Sequence, residues 1–154
     1  MRLSTREDVE APIGFVFGRL CDFDSWERAA LRRGADVQRT DGLTAAQPGM
    51  GWQVQIDYRG KLRSGEVRLA VLEAPQKLLF TGAGGSFEAT LEIELLELGP
   101  RRTRVVVISE ARPRSLSARV LLQSVKLAKA KLVQRYEHQV ARLAADIEER
   151  FRRA

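Results

Sequence analysis

The stretch from Ser115 to Arg152, SLSARVLLQSVKLAKAKLVQRYEHQVARLAADIEERFR, sets how the rest of the chain must be arranged. Leu121, Val125, Ala128, Leu132, Tyr136 (or Gln139), Leu143 and Ile147 recur at three- and four-residue steps, the spacing of one apolar helix face. No Pro or Gly interrupts the run, and good helix formers dominate it. Pro113 precedes it, and Ser115 is placed to cap it by accepting from an otherwise orphaned backbone N–H. The spacing predicts one long helix over 115–152. Such a helix would be about 57 Å long, against roughly 40 Å for a compact domain of this size, so the last turns, Glu148–Ala154, are expected to overhang or fray. Burying its apolar face is worth about 10–20 kcal/mol gross, which requires a matching apolar surface elsewhere in the chain.

The middle of the chain supplies that surface. From Met50 to Ala111 the period is two: Trp52, Val54, Ile56 and Tyr58 alternate with Gln53, Gln55 and Asp57. A tight turn at Arg59-Gly60 pairs Tyr58 with Lys61, which sets Trp52 opposite Val67, Val54 opposite Gly65 and Ile56 opposite Arg63. A turn at Glu73–Gln76 pairs Val71 with Leu78 and Leu69 with Phe80. A turn at Ala83–Ser86 pairs Gly82 with Phe87 and Phe80 with Ala89. Phe87, Ala89, Leu91 and Ile93 then share the apolar face, with Glu88, Glu92 and Glu94 outward. A three-residue turn, Gly99-Pro100-Arg101, adds Val105, Val107 and Ser109 inside. One face stays apolar through four hairpins, which predicts a five-stranded antiparallel meander. Arg2–Glu10 and Ala35–Thr40 bring the count to six or seven strands. Between those two segments lie Pro12–Leu20, a short helix for which Pro12 suits the first position, and a second short helix from the Asp22-Phe23-Asp24-Ser25-Trp26 stretch to near Gly34. The class is α+β.

The 154 residues, 44% hydrophobic and 30% charged, fit one soluble globular domain over 1–154. No run approaches the ~18 apolar residues of a membrane span. The N-terminus lacks the apolar core of a signal peptide and Cys21 has no cysteine to pair with, so a cytoplasmic location is expected. A net charge of +6 raises nucleic acid as a partner, but the basic residues are spread out, acids are interleaved, and no aromatic–basic stacking pattern appears. Weak contact with an anionic membrane surface fits better, because Lys126, Lys129, Lys131 and Arg135 crowd one region.

The element order resembles the START-like, or SRPBCC, superfamily, whose branches include polyketide cyclases, lipid-transfer domains and plant pathogenesis-related proteins. Ala11-Pro12-Ile13, Val16-Phe17, Leu20, Asp22 and Trp26 look like the opening of that family. Pro48-Gly49-Met50-Gly51-Trp52 leading into the meander, and the terminal helix, extend the likeness over nearly the whole chain. The chain is most similar to the bacterial polyketide cyclase/dehydrase-like branch. The resemblance implies a helix-grip fold, a curved sheet wrapped around the C-terminal helix, with an apolar cavity between them. The family's common denominator is that pocket, and no shared reaction comes with it.

Residues able to carry chemistry are few. One Cys and one His cannot build a zinc site, and no cofactor is implied. Gly82-Ala83-Gly84-Gly85 joins two strands and lacks a following Lys-Ser/Thr, so it reads as a turn and not a phosphate cradle. His138 falls outside the helix's apolar face, Cys21 reads as a small buried hydrophobe, and Glu88, Glu92 and Glu94 read as solvated charges cross-paired with Arg102 and Arg104. Arg63 stands apart. By register it shares the inward face with Ile56 and Tyr58, where a guanidinium must reach water, an acid or a ligand oxygen. It either snorkels from the cavity mouth or holds a carboxylate, phosphate or enolate oxygen, with the Tyr58 hydroxyl as second donor and Ser109 as a third. Trp52, Val54, Ile56, Val67, Leu69, Val71, Leu78, Phe80, Phe87, Leu91, Val105 and Val107 are core or cavity wall, with Leu121, Val125, Ala128 and Leu132 opposite. The leading expectation is a non-catalytic binder or carrier of a small hydrophobic molecule: a lipid, an isoprenoid or a polyketide-like aromatic. The alternatives are a cyclase/dehydratase-type enzyme, for which no base is evident, and a protein-interaction module with a filled pocket.

Overall fold

The computed structural model describes residues 1–58 and 60–154, the side chain of Tyr58 apart. Its elements run β1 (Arg2–Val9), α1 (Ile13–Leu20), α2 (Phe23–Arg32), β2 (Asp36–Arg39), β3 (Gly51–Tyr58), β4 (Lys61–Glu73), β5 (Lys77–Gly84), β6 (Phe87–Gly99), β7 (Arg102–Pro113), α3 (Leu116–Lys126) and α4 (Lys129–Arg153). The strands form one antiparallel seven-stranded sheet in the order β1-β7-β6-β5-β4-β3-β2. Pro12 sits at the cap of α1, one residue before the expected place, and Asp22 caps α2 by accepting from Ser25.

The β3–β4 register is the expected one, with Trp52 opposite Val67 and Ile56 opposite Arg63. The turn expected at Arg59-Gly60 falls partly outside the described residues; Gly60 has φ +73°, which favours glycine. Two other registers differ, and at β6–β7 the register is the expected one, with Arg104 opposite Leu96, and only the turn differs. A bulge between Leu69 and Val71 sets Val71 opposite Leu79 and brings Leu72, not Val71, into line with buried Leu78. At β5–β6 the strands continue to Gly84 and Phe87, so the turn is Gly85-Ser86 and the pairs are Gly82 with Ala89 and Phe80 with Leu91. That slide of two residues keeps every face in place, because side chains alternate with period two. At β6–β7 a bulge between Glu97 and Gly99 leaves Pro100-Arg101 as a two-residue turn, and Val105, Val107 and Ser109 still face inward, opposite Leu95, Ile93 and Leu91.

The predicted single helix is two. Ser115 caps α3 as expected, accepting from the Ala118 N–H at 3.1 Å. At Leu127 and Ala128 the backbone N–H groups turn to carbonyls three residues back, Ser124 and Val125, and α4 starts afresh. No Pro or Gly forces the break. The break coincides with a change of surface: α3 rests on β7, whereas α4 lies along β1 and reaches α1. The C-terminal turns neither overhang nor fray. Ile147 is buried, Phe151 packs edge-on against Phe15 with centroids 5.1 Å apart, and the Glu148 carboxylate accepts the Glu10 N–H at 2.8 Å.

The core lies where α1, α2 and the far half of α4 cover the sheet: Val16, Phe17, Phe23, Leu69, Leu78, Ile93, Val140 and Ile147 all belong to it. The outward acids find partners other than those expected. Glu92 pairs with Lys77 and Glu88 with Arg114, while Arg102 and Arg104 reach across to Asp8 on β1. Among the described residues no helix is long and apolar enough to cross a membrane.

Candidate functional site

Burial fades along the inner face of β3 and β4 from one end of the sheet to the other. Trp52 is buried, Val54 half-buried and Ile56 43% exposed; Leu69 is buried, Val67 half-buried and Arg63 exposed. At the faded end, where the β3–β4 and β5–β6 hairpins turn, the inner face forms an open concavity of about 260 Å³. Val54, Ile56, Val67, Phe87 and Ala89 line it, with Gly65, Gly82, Gly84 and Arg63. No residue of α3 or α4 does.

Gly84, with Gly65 across from it, and Gly82 have different causes. A Cβ on Gly84 would stand 2.7 Å from the Ser64 carbonyl oxygen and 2.9 Å from Gly65 Cα, so β4 and β5 approach here as only glycine allows. A Cβ on Gly82 would meet nothing nearer than 3.5 Å. A methyl there would make only ordinary van der Waals contacts, with the Glu66 and Ala89 carbonyls and the Val67 side chain. A second hollow on the opposite face shares Gly82, Ala83 and Ala89, which shows how thin the wall is there.

The other end of the inner face is shut. Phe23 meets Trp52 and Phe80 edge to face, with centroids 5.3 and 6.1 Å away, and Trp52 lies tilted against Phe80 at 6.2 Å. The Trp52 indole N–H donates to Glu27 at 2.8 Å, and the Arg39 guanidinium lies 5.7 Å from the Trp52 ring. Arg39 is held in turn by Asp41, which also accepts the Leu43 and Gly51 N–H groups. The hydrogen bonds from Arg39 and then Gly51 keep the Asp41 carboxyl well below the usual carboxylate range. This network fixes the start of β3, and with it the face that carries Val54 and Ile56.

Of the residues expected to bind ligand, Arg63, Val54, Ile56 and Val67 come together in the concavity. Trp52, Leu69, Phe80, Leu91 and Val107 lie deeper on the same face, packed in or against the core. Leu121 and Ala128 are exposed and Val125 and Leu132 half-buried, none of them lining the concavity. The Tyr58 hydroxyl lies outside the described residues. Ser109 is engaged: it bonds the Tyr136 hydroxyl at 2.9 Å, which donates to the Val107 carbonyl at 3.3 Å. Burial pushes the Tyr136 phenol above its ordinary pKa, offset in part by the bond to Ser109. Spacing had marked Tyr136 only as an apolar helix position, and its polar role depends on β7 passing beneath it. The glycine floor was also missed, although three inward glycines on adjacent strands are themselves a signal of missing volume. Cys21 is half-buried, with its thiol pKa raised by burial, and His138 is exposed. Among the described residues no cluster of His, Cys, Asp and Glu could hold a metal ion. Among the described residues, the arrangement can shelter an apolar group beside the Arg63 guanidinium; Glu66 also lies along the lining and is exposed.

No protein-family model and no curated protein sequence matches the chain. Solved structures do match over nearly its whole length. The Zhui aromatase/cyclase from Streptomyces aligns with a TM-score of 0.66 at 15% identity, covering 97% of this chain and 94% of that one. A Thermus thermophilus protein also gives 0.66 at 15%, covering 96% and 97%. A START superfamily protein from Mycobacterium smegmatis gives 0.58 at 11%, covering 90% and 98%. The fold is therefore the START-like, helix-grip fold.

Proposed function

We propose that this chain, as a single START-like domain over 1–154, binds or carries a small hydrophobic molecule on the inner face of its sheet. A lipid, an isoprenoid or a polyketide-like aromatic has the required chemistry. The observation that carries the reading is the concavity itself: about 260 Å³, lined mostly by apolar side chains and glycines, with the Arg63 guanidinium among its described lining residues. Small-molecule sites usually span roughly 300–1,000 Å³, so the groove takes a ring or a chain end and leaves the remainder of the ligand outside. The glycine floor suits a flat group, and Arg63 suits a carboxylate or enolate oxygen at its edge.

The likeness to an aromatase/cyclase supports a second reading, a cyclase/dehydratase-type enzyme in which Arg63 polarises a ligand carbonyl. Glu66, the carboxylate among the described lining residues, is exposed, so that reading has no sheltered base to support it.

A matched pair of probes tests the proposal: a fluorescent aromatic carboxylic acid and its methyl ester, titrated into wild type and Arg63→Ala. Both probes should bind wild type, and the substitution should weaken the acid about tenfold or more while leaving the ester within about twofold. Equal affinity of the acid for both proteins would remove Arg63 from the site. Failure of both probes to bind wild type would remove the groove.

A further inference from the structure

Helix α3 is apolar on two opposite faces. Ala118 and Leu122 are buried and Val125 is half-buried where the helix meets β7. On the far side Leu116 is 78% exposed, Val120 59% and, at the elbow before α4, Leu127 91%. Steps of four and seven residues put these three on one line along the helix. A soluble helix ordinarily turns polar residues outward, so this line of aliphatic side chains is out of place in water.

The charge around it is one-sided. From Ala111 to Tyr136 the chain carries Arg112, Arg114, Arg119, Lys126, Lys129, Lys131 and Arg135, and no Asp or Glu. All seven are exposed, and outside this segment the chain is close to neutral. Arg112 and Arg114 meet carboxylates of the sheet, Glu110 and Glu88. This charge decides among occupants. A second copy would bring the same cations face to face and be repelled. Nucleic acid would satisfy the cations but offers no apolar phase for Leu116, Val120 and Leu127. An anionic bilayer satisfies both.

We propose that α3 and its elbow are a docking face for an anionic lipid bilayer. Leu116, Val120 and Leu127 enter the boundary between headgroups and acyl chains, and the flanking basic residues hold headgroup phosphates. The face adjoins the open end of the groove, since the Arg114 N–H donates to the Ser86 carbonyl in the β5–β6 turn and Phe87, which lines the groove, pairs with Pro113. Docking requires no ligand in the groove, so it stands or falls separately from the binding proposal.

Sedimentation with vesicles at low salt provides the test, using equal parts phosphatidylglycerol and phosphatidylcholine against phosphatidylcholine alone. Wild type should pellet with the anionic vesicles and bind the neutral ones at least tenfold more weakly. Leu127→Ser, which removes apolar surface without changing charge, should lower partitioning about tenfold. Lys126→Ala and Lys129→Ala should each lower it about fivefold. All three sites are exposed, so circular dichroism should show unchanged folding. Absence of binding to anionic vesicles would overturn the proposal, as would Leu127→Ser binding as well as wild type. A dimer that Leu127→Ser converts to monomer, without vesicle binding, would show the face to be a self-interface instead.

Discussion

Two glycines on β5, two residues apart and on the same face, should respond oppositely to the same substitution. In Gly84→Ala the new methyl would sit 2.7 Å from the Ser64 carbonyl oxygen and 2.9 Å from Gly65 Cα, and both neighbours are backbone. Neither can rotate away, so β4 and β5 must separate. Such overpacking costs about 1–3 kcal/mol. In Gly82→Ala the nearest atom is the Glu66 carbonyl oxygen at 3.5 Å, an ordinary contact, and the change should be neutral or stabilise by up to about 1 kcal/mol through lost unfolded-state freedom. Urea unfolding followed by circular dichroism measures both, with an unchanged slope required for the comparison. In thermal melts, each kcal/mol corresponds to about 2–4 °C for a chain of this size. Equal stability of the two variants, or Gly84→Ala the more stable, would refute the close approach at Gly65 and Gly84.

Thr103 is fully buried and donates to the Ala11 carbonyl at 2.9 Å, so Thr103→Val, which keeps the shape, should cost about 1–3 kcal/mol in urea unfolding. Tyr136→Phe removes the link to Ser109 and Val107 and should cost about 1 kcal/mol, while the wild-type phenol should titrate spectroscopically above its ordinary value. The carboxyl pKa values of Asp8, Asp22, Asp41 and Glu92 are lowered by hydrogen bonds from Arg104, Ser25, Arg39 and Lys77 respectively. A depressed folded-state pKa gives stability that is present above the unfolded value and lost as pH falls through the folded one. Urea midpoints should therefore hold from neutrality to about pH 5 and decline below roughly pH 4, and Asp41→Asn should flatten part of that decline.

The meander was readable because alternation survives small errors of register. The β3–β4 register is the expected one because Trp52, Val54 and Ile56 alternate strictly with polar residues. The β5–β6 register was ambiguous by two residues because Gly82-Ala83-Gly84-Gly85 carries almost no side-chain pattern, and both registers present the same face. The bulge near Ala70 left no trace either, since Val71 and Leu72 are both apolar and either could face the core. The break at Leu127 and Ala128 was invisible for a different reason. Both residues favour helix, and the change of packing surface from β7 to β1 and α1 is a tertiary fact that helix periodicity does not carry. For the site, register alone set Arg63 beside Ile56, and both line the concavity. Sequence spacing could not reveal that α4 would lie over β1, leaving that end of the inner face open, or that Tyr136 would take up Ser109.

Native mass spectrometry tests the binding proposal most directly. Wild type and Gly82→Leu, whose larger side chain would take up volume at the lining of the concavity, are each incubated with a hydrophobic cell extract, exchanged into volatile buffer and weighed intact. The account predicts a discrete non-covalent adduct on wild type, released by organic solvent as a molecule with an apolar ring or chain, and markedly less of it on Gly82→Leu. No adduct on wild type, or equal occupancy of both proteins, would contradict it.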